Sequence, residues 1–138
     1  CTAYNSIYGY YYTDKISNSK LLFILKEEDK YTNINDWLNG IKNLNYNEGI
    51  NSSISLGIKK LPRNSLSTMI CLADMPLLKS EDYNSMVQFE EKFRNKSKII
   101  VPYNKTTRGN PVIFGKDYFN TLLNLVGDYG GKKILEKS

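Results

Sequence analysis

The chain has no histidine and only three arginines, Arg63, Arg94 and Arg108. Losing histidine removes the usual general base, the Ser/His and Cys/His nucleophile pairs, and most zinc and iron sites. Any chemistry must use carboxylates, lysine, arginine, backbone amides or a metal. Two cysteines, Cys1 and Cys71, do not make a disulfide framework. Cys71 sits in an apolar run and reads as a small apolar residue, and a reducing, cytoplasmic setting is expected. No run approaches the ~20 apolar residues of a membrane span, so no membrane association is expected. The start is tyrosine-rich rather than basic and then apolar, which does not read as a signal peptide. There is no basic block with interleaved aromatics, so nucleic acid is not an expected partner. The Walker pattern Gly-x-x-x-x-Gly-Lys-Ser/Thr is also missing.

What is present fits one soluble globular domain over residues 1–138, with 41% hydrophobic and 24% charged residues. The net charge of +5, mostly from lysine, suits an anionic small-molecule substrate.

The organising stretch is Thr68-Met69-Ile70-Cys71-Leu72-Ala73-Asp74-Met75-Pro76. Its apolar run does not alternate, which predicts a strand buried on both faces, as in parallel sheets flanked by helices. Pro76 cannot donate a ladder hydrogen bond, so the strand stops before it. Ligands of open α/β sheets sit outside the carboxyl ends of strands, where Asp74 falls. An acid there can hold Mg²⁺ together with substrate phosphates. The alternative is that Asp74 caps the turn into the next helix.

Further apolar runs at 21–25, 98–101 and 111–114 predict strands of the same sheet, with helices on both faces. The spacing Tyr4, Ile7, Tyr8, Tyr11 predicts a helix whose stripe faces the core. A helix capped by Asn33 or Asn35 is predicted to about Leu44, with Ile34, Trp37, Leu38 and Ile41 on one face. After the Gly49 turn, Asn51 or Ser52 can cap a helix with Ile54, Ile58 and Leu61 on its stripe, ended by Pro62. Its serine-rich start is either an ordinary cap or a site for an anion or nucleotide. A helix capped by Ser80 runs to about Arg94, and another spans Asp117 to Leu125. Residues Tyr103 to Asn110 read as a polar loop carrying Arg108. Asp128 lies among the glycines of Gly127-Asp128-Tyr129-Gly130-Gly131, where it either approaches a ligand or caps the last helix.

Four segments in order carry a resemblance: 47–57 (Asn-Glu-Gly-Ile-Asn-Ser-Ser-Ile-Ser-Leu-Gly), 72–77 (Leu-Ala-Asp-Met-Pro-Leu), 108–114 (Arg-Gly-Asn-Pro-Val-Ile-Phe) and 127–132 (Gly-Asp-Tyr-Gly-Gly-Lys). From about Leu21 to the C-terminus, the chain resembles the molybdenum cofactor cytidylyltransferase branch of the MobA-like nucleotidyltransferases. The resemblance implies a three-layer α/β/α fold with a mostly parallel, Rossmann-like sheet of the nucleotide-diphospho-sugar transferase type. It implies transfer of a CMP or GMP group from a nucleoside triphosphate to an anionic acceptor such as molybdopterin, with Mg²⁺ and release of pyrophosphate. It maps the metal ligand onto Asp74, nucleotide binding onto Gly49, Ser52 and Ser53, catalytic roles onto Asp74, Arg108 and Asp128, and acceptor binding onto Asn110.

The family's first strand and glycine-rich loop, with its Arg-Met-Gly and a lysine, have no counterpart in the sequence. The expectation is that the domain is incomplete at its N-terminus, that this chain alone is inactive, and that buried strands lack a neighbour. The other reading is a silent homologue that binds a nucleotide or a protein partner.

Overall fold

The computed structural model describes residues 7–10, 13–14, 17–18, 22–26, 40–72, 75, 77–93 and 97–136. In chain order the strands are β1 (Ile7–Tyr10), β2 (Thr13–Asp14), β3 (Ser17–Asn18), β4 (Leu22–Lys26), β5 (Gly40–Asn43), β6 (Ser67–Leu72), β7 (Ile99–Ile100), β8 (Tyr103–Asn104), β9 (Thr107–Arg108) and β10 (Val112–Gly115). The helices are α1 (Ile50–Lys60), α2 (Ser80–Lys92), α3 (Phe119–Leu123) and α4 (Lys132–Leu135).

The four predicted strand segments do share one sheet, ordered β5-β4-β1-β6-β10-β7. The pairing corrects the mostly parallel expectation. Among the described strands of this sheet only β4–β5 is parallel, while β1–β4, β1–β6, β6–β10 and β7–β10 are antiparallel. The registers leave β4, β5, β6 and β7 running one way, with β1 and β10 laid between them in reverse. An antiparallel neighbour needs no long crossover, and β7 reaches β10 through the short β8–β9 hairpin.

Two further corrections concern the first half of the chain. Ile7–Tyr10 is a strand, not part of a helical stripe; Tyr4 and Tyr11 lie outside the described residues. It pairs with β4 on one side and β6 on the other, so both have a neighbour there. Gly40–Asn43 is a strand parallel to β4, not the end of a helix; residues 33–39 lie outside the described residues.

Strand alternation divides the core. Val112 and Phe114 pack with Ile54 and Ile58 of α1 and Leu122 of α3, with Ile70 against the same cluster. Met69, Cys71 and Ile113 face the other way, against Tyr83, Met86 and Val87 of α2. The apolar run of β6 is continuous because both faces are covered. Burying each such side chain stabilises the fold by roughly 1.5–3 kcal/mol.

The end of α2 is held by one side chain. Lys98 Nζ donates to the Glu90 carbonyl at 2.7 Å and to the Phe93 carbonyl, and its distance to Glu90 Oε1 is 3.3 Å. The final carbonyls of a helix lack intrahelical donors, and a cation suits that end. Lys98→Met is expected to lower stability by about 2 kcal/mol, the scale of a charged hydrogen bond. Urea unfolding should show a lower midpoint at unchanged slope; an unchanged midpoint would mean that water replaces the amine at no cost.

Candidate functional site

The register of β6 and β10 brings distant residues together. Val112 lies opposite Ile70 and the strands are antiparallel, so the chain entering β10 sits beside the chain leaving β6. The β8–β9 hairpin shapes that entry: Gly109 N–H donates to the Pro102 carbonyl at 2.8 Å, and Arg108 Nε–H donates to Tyr103 Oη at 3.1 Å. Arg108 and Asn110 thereby reach the wall that holds Leu72, the last residue of β6.

The Gly127–Gly131 turn closes the other side. Gly127 has φ +91° and Gly130 φ +53°, conformations that glycine adopts without strain. A Cβ at Gly131 would lie 2.5 Å from Phe114 Cζ, so only glycine fits that approach. The turn crosses the start of α1, where Asp128 Oδ1 accepts from Ile50 N–H at 2.9 Å. Asp128 is therefore a cap, but of α1 rather than of the last helix. The carboxylate supplies one of the partners that the first turn of a helix lacks. Gly49 just before it has φ +91°, and a Cβ there would stand 3.0 Å from the Gly127 carbonyl oxygen.

The cleft so formed has a volume of about 350 Å³. Its floor is apolar, with Ile54, Ile70, Leu72 and Val112. Around it stand Arg108, Asn110, Asp128 and Lys132. Two cations, an amide and one carboxylate over a greasy floor can hold an anionic ligand that has an apolar or planar part. Lys132 was not singled out by sequence; its only signal was its place directly after the glycines.

The predicted site residues fall into two groups. Arg108, Asn110 and Asp128 share this cleft. Ser52 lines a second cavity of about 440 Å³ with Asn45, Glu48 and Asn51. Ser53 is buried, and Gly49 joins the two groups through its contact with Gly127 and Asp128. The two serine hydroxyls are not open to solvent chemistry alone: Asn43 Nδ2 donates to Ser52 Oγ at 2.9 Å and to Ser53 Oγ at 2.7 Å. Ser52 Oγ–H in turn donates to the Gly49 carbonyl at 2.8 Å. Sequence reasoning missed Asn43, and nothing local marks it. Asp74 lies outside the described residues, two positions beyond Leu72 in the sequence.

Among the described residues no three of His, Cys, Asp and Glu gather as a metal cluster. The cleft offers the Asp128 carboxylate, one oxygen of which is committed to Ile50. Mg²⁺ takes oxygen ligands and commonly one or two carboxylates plus phosphate oxygens, and the second oxygen of Asp128 is a donor of that kind. No helix among the described residues is long and apolar enough to cross a membrane.

Residues 19–138 match a family model described as the MobA-like NTP transferase domain. No curated protein matches the chain.

Proposed function

The chain belongs to the MobA-like NTP transferase domain family, and from that premise we propose that it moves a CMP or GMP group from a nucleoside triphosphate to an anionic acceptor of the molybdopterin type. Membership makes the chain a nucleotidyltransferase domain with a nucleoside triphosphate as substrate. The base, the acceptor and the cytoplasmic setting are our reading. In the reaction, an acceptor phosphate oxygen attacks the α-phosphorus. The bond from that phosphorus to the α,β-bridging oxygen breaks, and pyrophosphate leaves with the electron pair.

The observation that carries the reading is the cleft. Residues from three separate motif segments, Arg108 and Asn110, Asp128, and Leu72 at the end of β6, converge on one apolar-floored pocket. Arg108 and Lys132 meet negative charge on the acceptor or the departing pyrophosphate, since phosphoryl-type transfer is governed by positioning and charge neutralisation. Asn110 orients the acceptor through its amide. Asp128 holds the start of α1 in place by accepting the Ile50 N–H. Asp74 with Asp128 would hold Mg²⁺, which when bound supplies neutralisation of the phosphate charge.

The second reading is a silent homologue that binds a nucleotide or a protein partner. Both readings are tested on the product of the whole reading frame that carries this chain. Pyrophosphate release is followed with each nucleoside triphosphate, with molybdopterin as acceptor, with and without Mg²⁺. The transferase reading expects turnover with one pyrimidine or purine triphosphate and a loss of about tenfold to a hundredfold in Arg108→Ala, the scale of one charge-assisted contact. Nucleotide binding without turnover selects the silent reading. Neither binding nor turnover overturns both.

A further inference from the structure

The first turn of α1 is held in an arrangement that it does not stabilise by itself. Gly49 enters it at φ +91°, and the helix cap comes from Asp128 rather than from a neighbouring residue. Asn51, in the same turn, is 1% exposed, and neither polar atom of its side chain has a hydrogen-bond partner among the described residues. A buried amide without partners disfavours the conformation that buries it. Such an arrangement persists where surrounding groups over-determine it.

The group that over-determines this turn is Asn43, at the end of β5 and 3% exposed. Both hydrogens of its amide are used, one on Ser52 Oγ and one on Ser53 Oγ. Its Oδ1 accepts from Asn45 N–H at 3.0 Å, which fixes the chain leaving the strand. Because Ser52 Oγ accepts from Asn43, its own hydrogen is directed to the Gly49 carbonyl. One side chain thus sets two hydroxyl rotors and ties the strand end to the turn.

We propose that Asn43 is a positioning residue for nucleotide binding, acting through Ser52 and Ser53 to hold the first turn of α1 in its binding geometry. This rests on the reading of the chain as a nucleotidyltransferase. Asn43 acts through the two serines it bonds. It sets the orientation of the two hydroxyls and ties down the turn's backbone, whose Ile50 N–H is given to Asp128 and whose Ser52 N–H is given to the Gly49 carbonyl. Replacing it by alanine leaves both serine hydroxyls free to rotate and removes the tie to β5. Replacing it by aspartate keeps the Oδ1 acceptor for Asn45 but removes both donated hydrogen bonds, so the Ser52 hydroxyl must choose between the introduced carboxylate and the Gly49 carbonyl.

The test is calorimetric titration of the full reading-frame product with CTP and with GTP in Mg²⁺, on the parent, Asn43→Ala, Asn43→Asp and Lys98→Met. Folding is checked by circular dichroism at the titration temperature. The expected result is a nucleotide Kd weakened by about tenfold in Asn43→Ala and at least as much in Asn43→Asp, whose carboxylate also repels the phosphates. Lys98→Met, which loosens α2 remote from the turn, should keep the parent Kd despite a lower melting temperature, separating positioning from general destabilisation. Should Asn43→Ala fail to fold, the Asn43→Asp titration decides the matter. A folded Asn43 variant with the parent Kd overturns the proposal while leaving the transferase reading intact. A parent that binds neither nucleotide overturns the transferase reading, and this proposal with it.

Discussion

Phe114→Ala is expected to cost about 3–5 kcal/mol, the usual range for emptying a buried phenylalanine site. Phe114 is 1% exposed and sits in the middle of β10, packed with Ile54 and Ile58 of α1, Leu122 of α3 and Ile134 of α4. Tyr118 meets its ring edge-on at 6.4 Å between centroids. Four elements thus converge on one side chain, and a static sheet face cannot collapse to fill the void. The ring also presses on Gly131, where a Cβ would be 2.5 Å from Phe114 Cζ. Gly131→Ala is therefore expected to destabilise as well, by about 1–3 kcal/mol, the cost of overpacking. The two effects share one contact, so they should not add: Phe114→Ala with Gly131→Ala should cost less than the sum of the singles. Guanidinium unfolding of the four proteins reads the cycle. Strict additivity would mean that the turn moves away from Phe114 freely, and that it does not hold Asp128 over α1 through this contact.

How much of this was legible in the sequence depends on what each pattern reports. The runs at 68–73, 98–101 and 111–114 were readable as strands because helices cover both faces, and a continuous apolar run records that cover. The same runs say nothing of direction, which is why the reversal of β10 was not readable. Ile7–Tyr10 misled because tyrosines at positions 4, 8 and 11 fit a helical period, while aromatic residues are also strong strand formers. The deciding factor is tertiary: β4 and β6 would otherwise leave unpaired edges, and β1 pairs with both. Gly40–Asn43 was hidden for a similar reason, since one isoleucine between Gly40 and Lys42 carries no period of its own. In the site, the motif segments were visible one by one, and Arg108, Asn110 and Asp128 did come together. What stayed invisible were pairings across the chain. The cap from Asp128 to Ile50 spans 78 positions, and the bond from Asn43 to Ser53 depends on a strand that the local pattern did not suggest.

Asp74→Asn is expected to remove most metal-dependent turnover, by about a hundredfold or more if the ion supplies several kcal/mol to the transition state. Asp74 lies outside the described residues, so the expectation rests on sequence position and on the edge of the sheet at which β6 ends. Leu72, two residues earlier, is already in the wall of the cleft that holds Arg108 and Asp128. A triphosphate in that cleft brings several negative charges close to the Asp128 carboxylate, and the two side-chain cations of the cleft are Arg108 and Lys132. Oxygen ligation of Mg²⁺ by a carboxylate and phosphates offsets that repulsion, and an amide at position 74 is a poorer ligand than a carboxylate. Asparagine keeps the size and the capping ability of aspartate, so the variant should melt with the parent. The measurement is pyrophosphate release against Mg²⁺ concentration for both proteins. Loss of turnover with an unchanged melting temperature, partly recovered at high Mg²⁺, is the expected pattern. Equal turnover would make Asp74 a turn cap and move the search for the metal ligand to Asp128, where Asp128→Asn should then show the Mg²⁺ dependence instead.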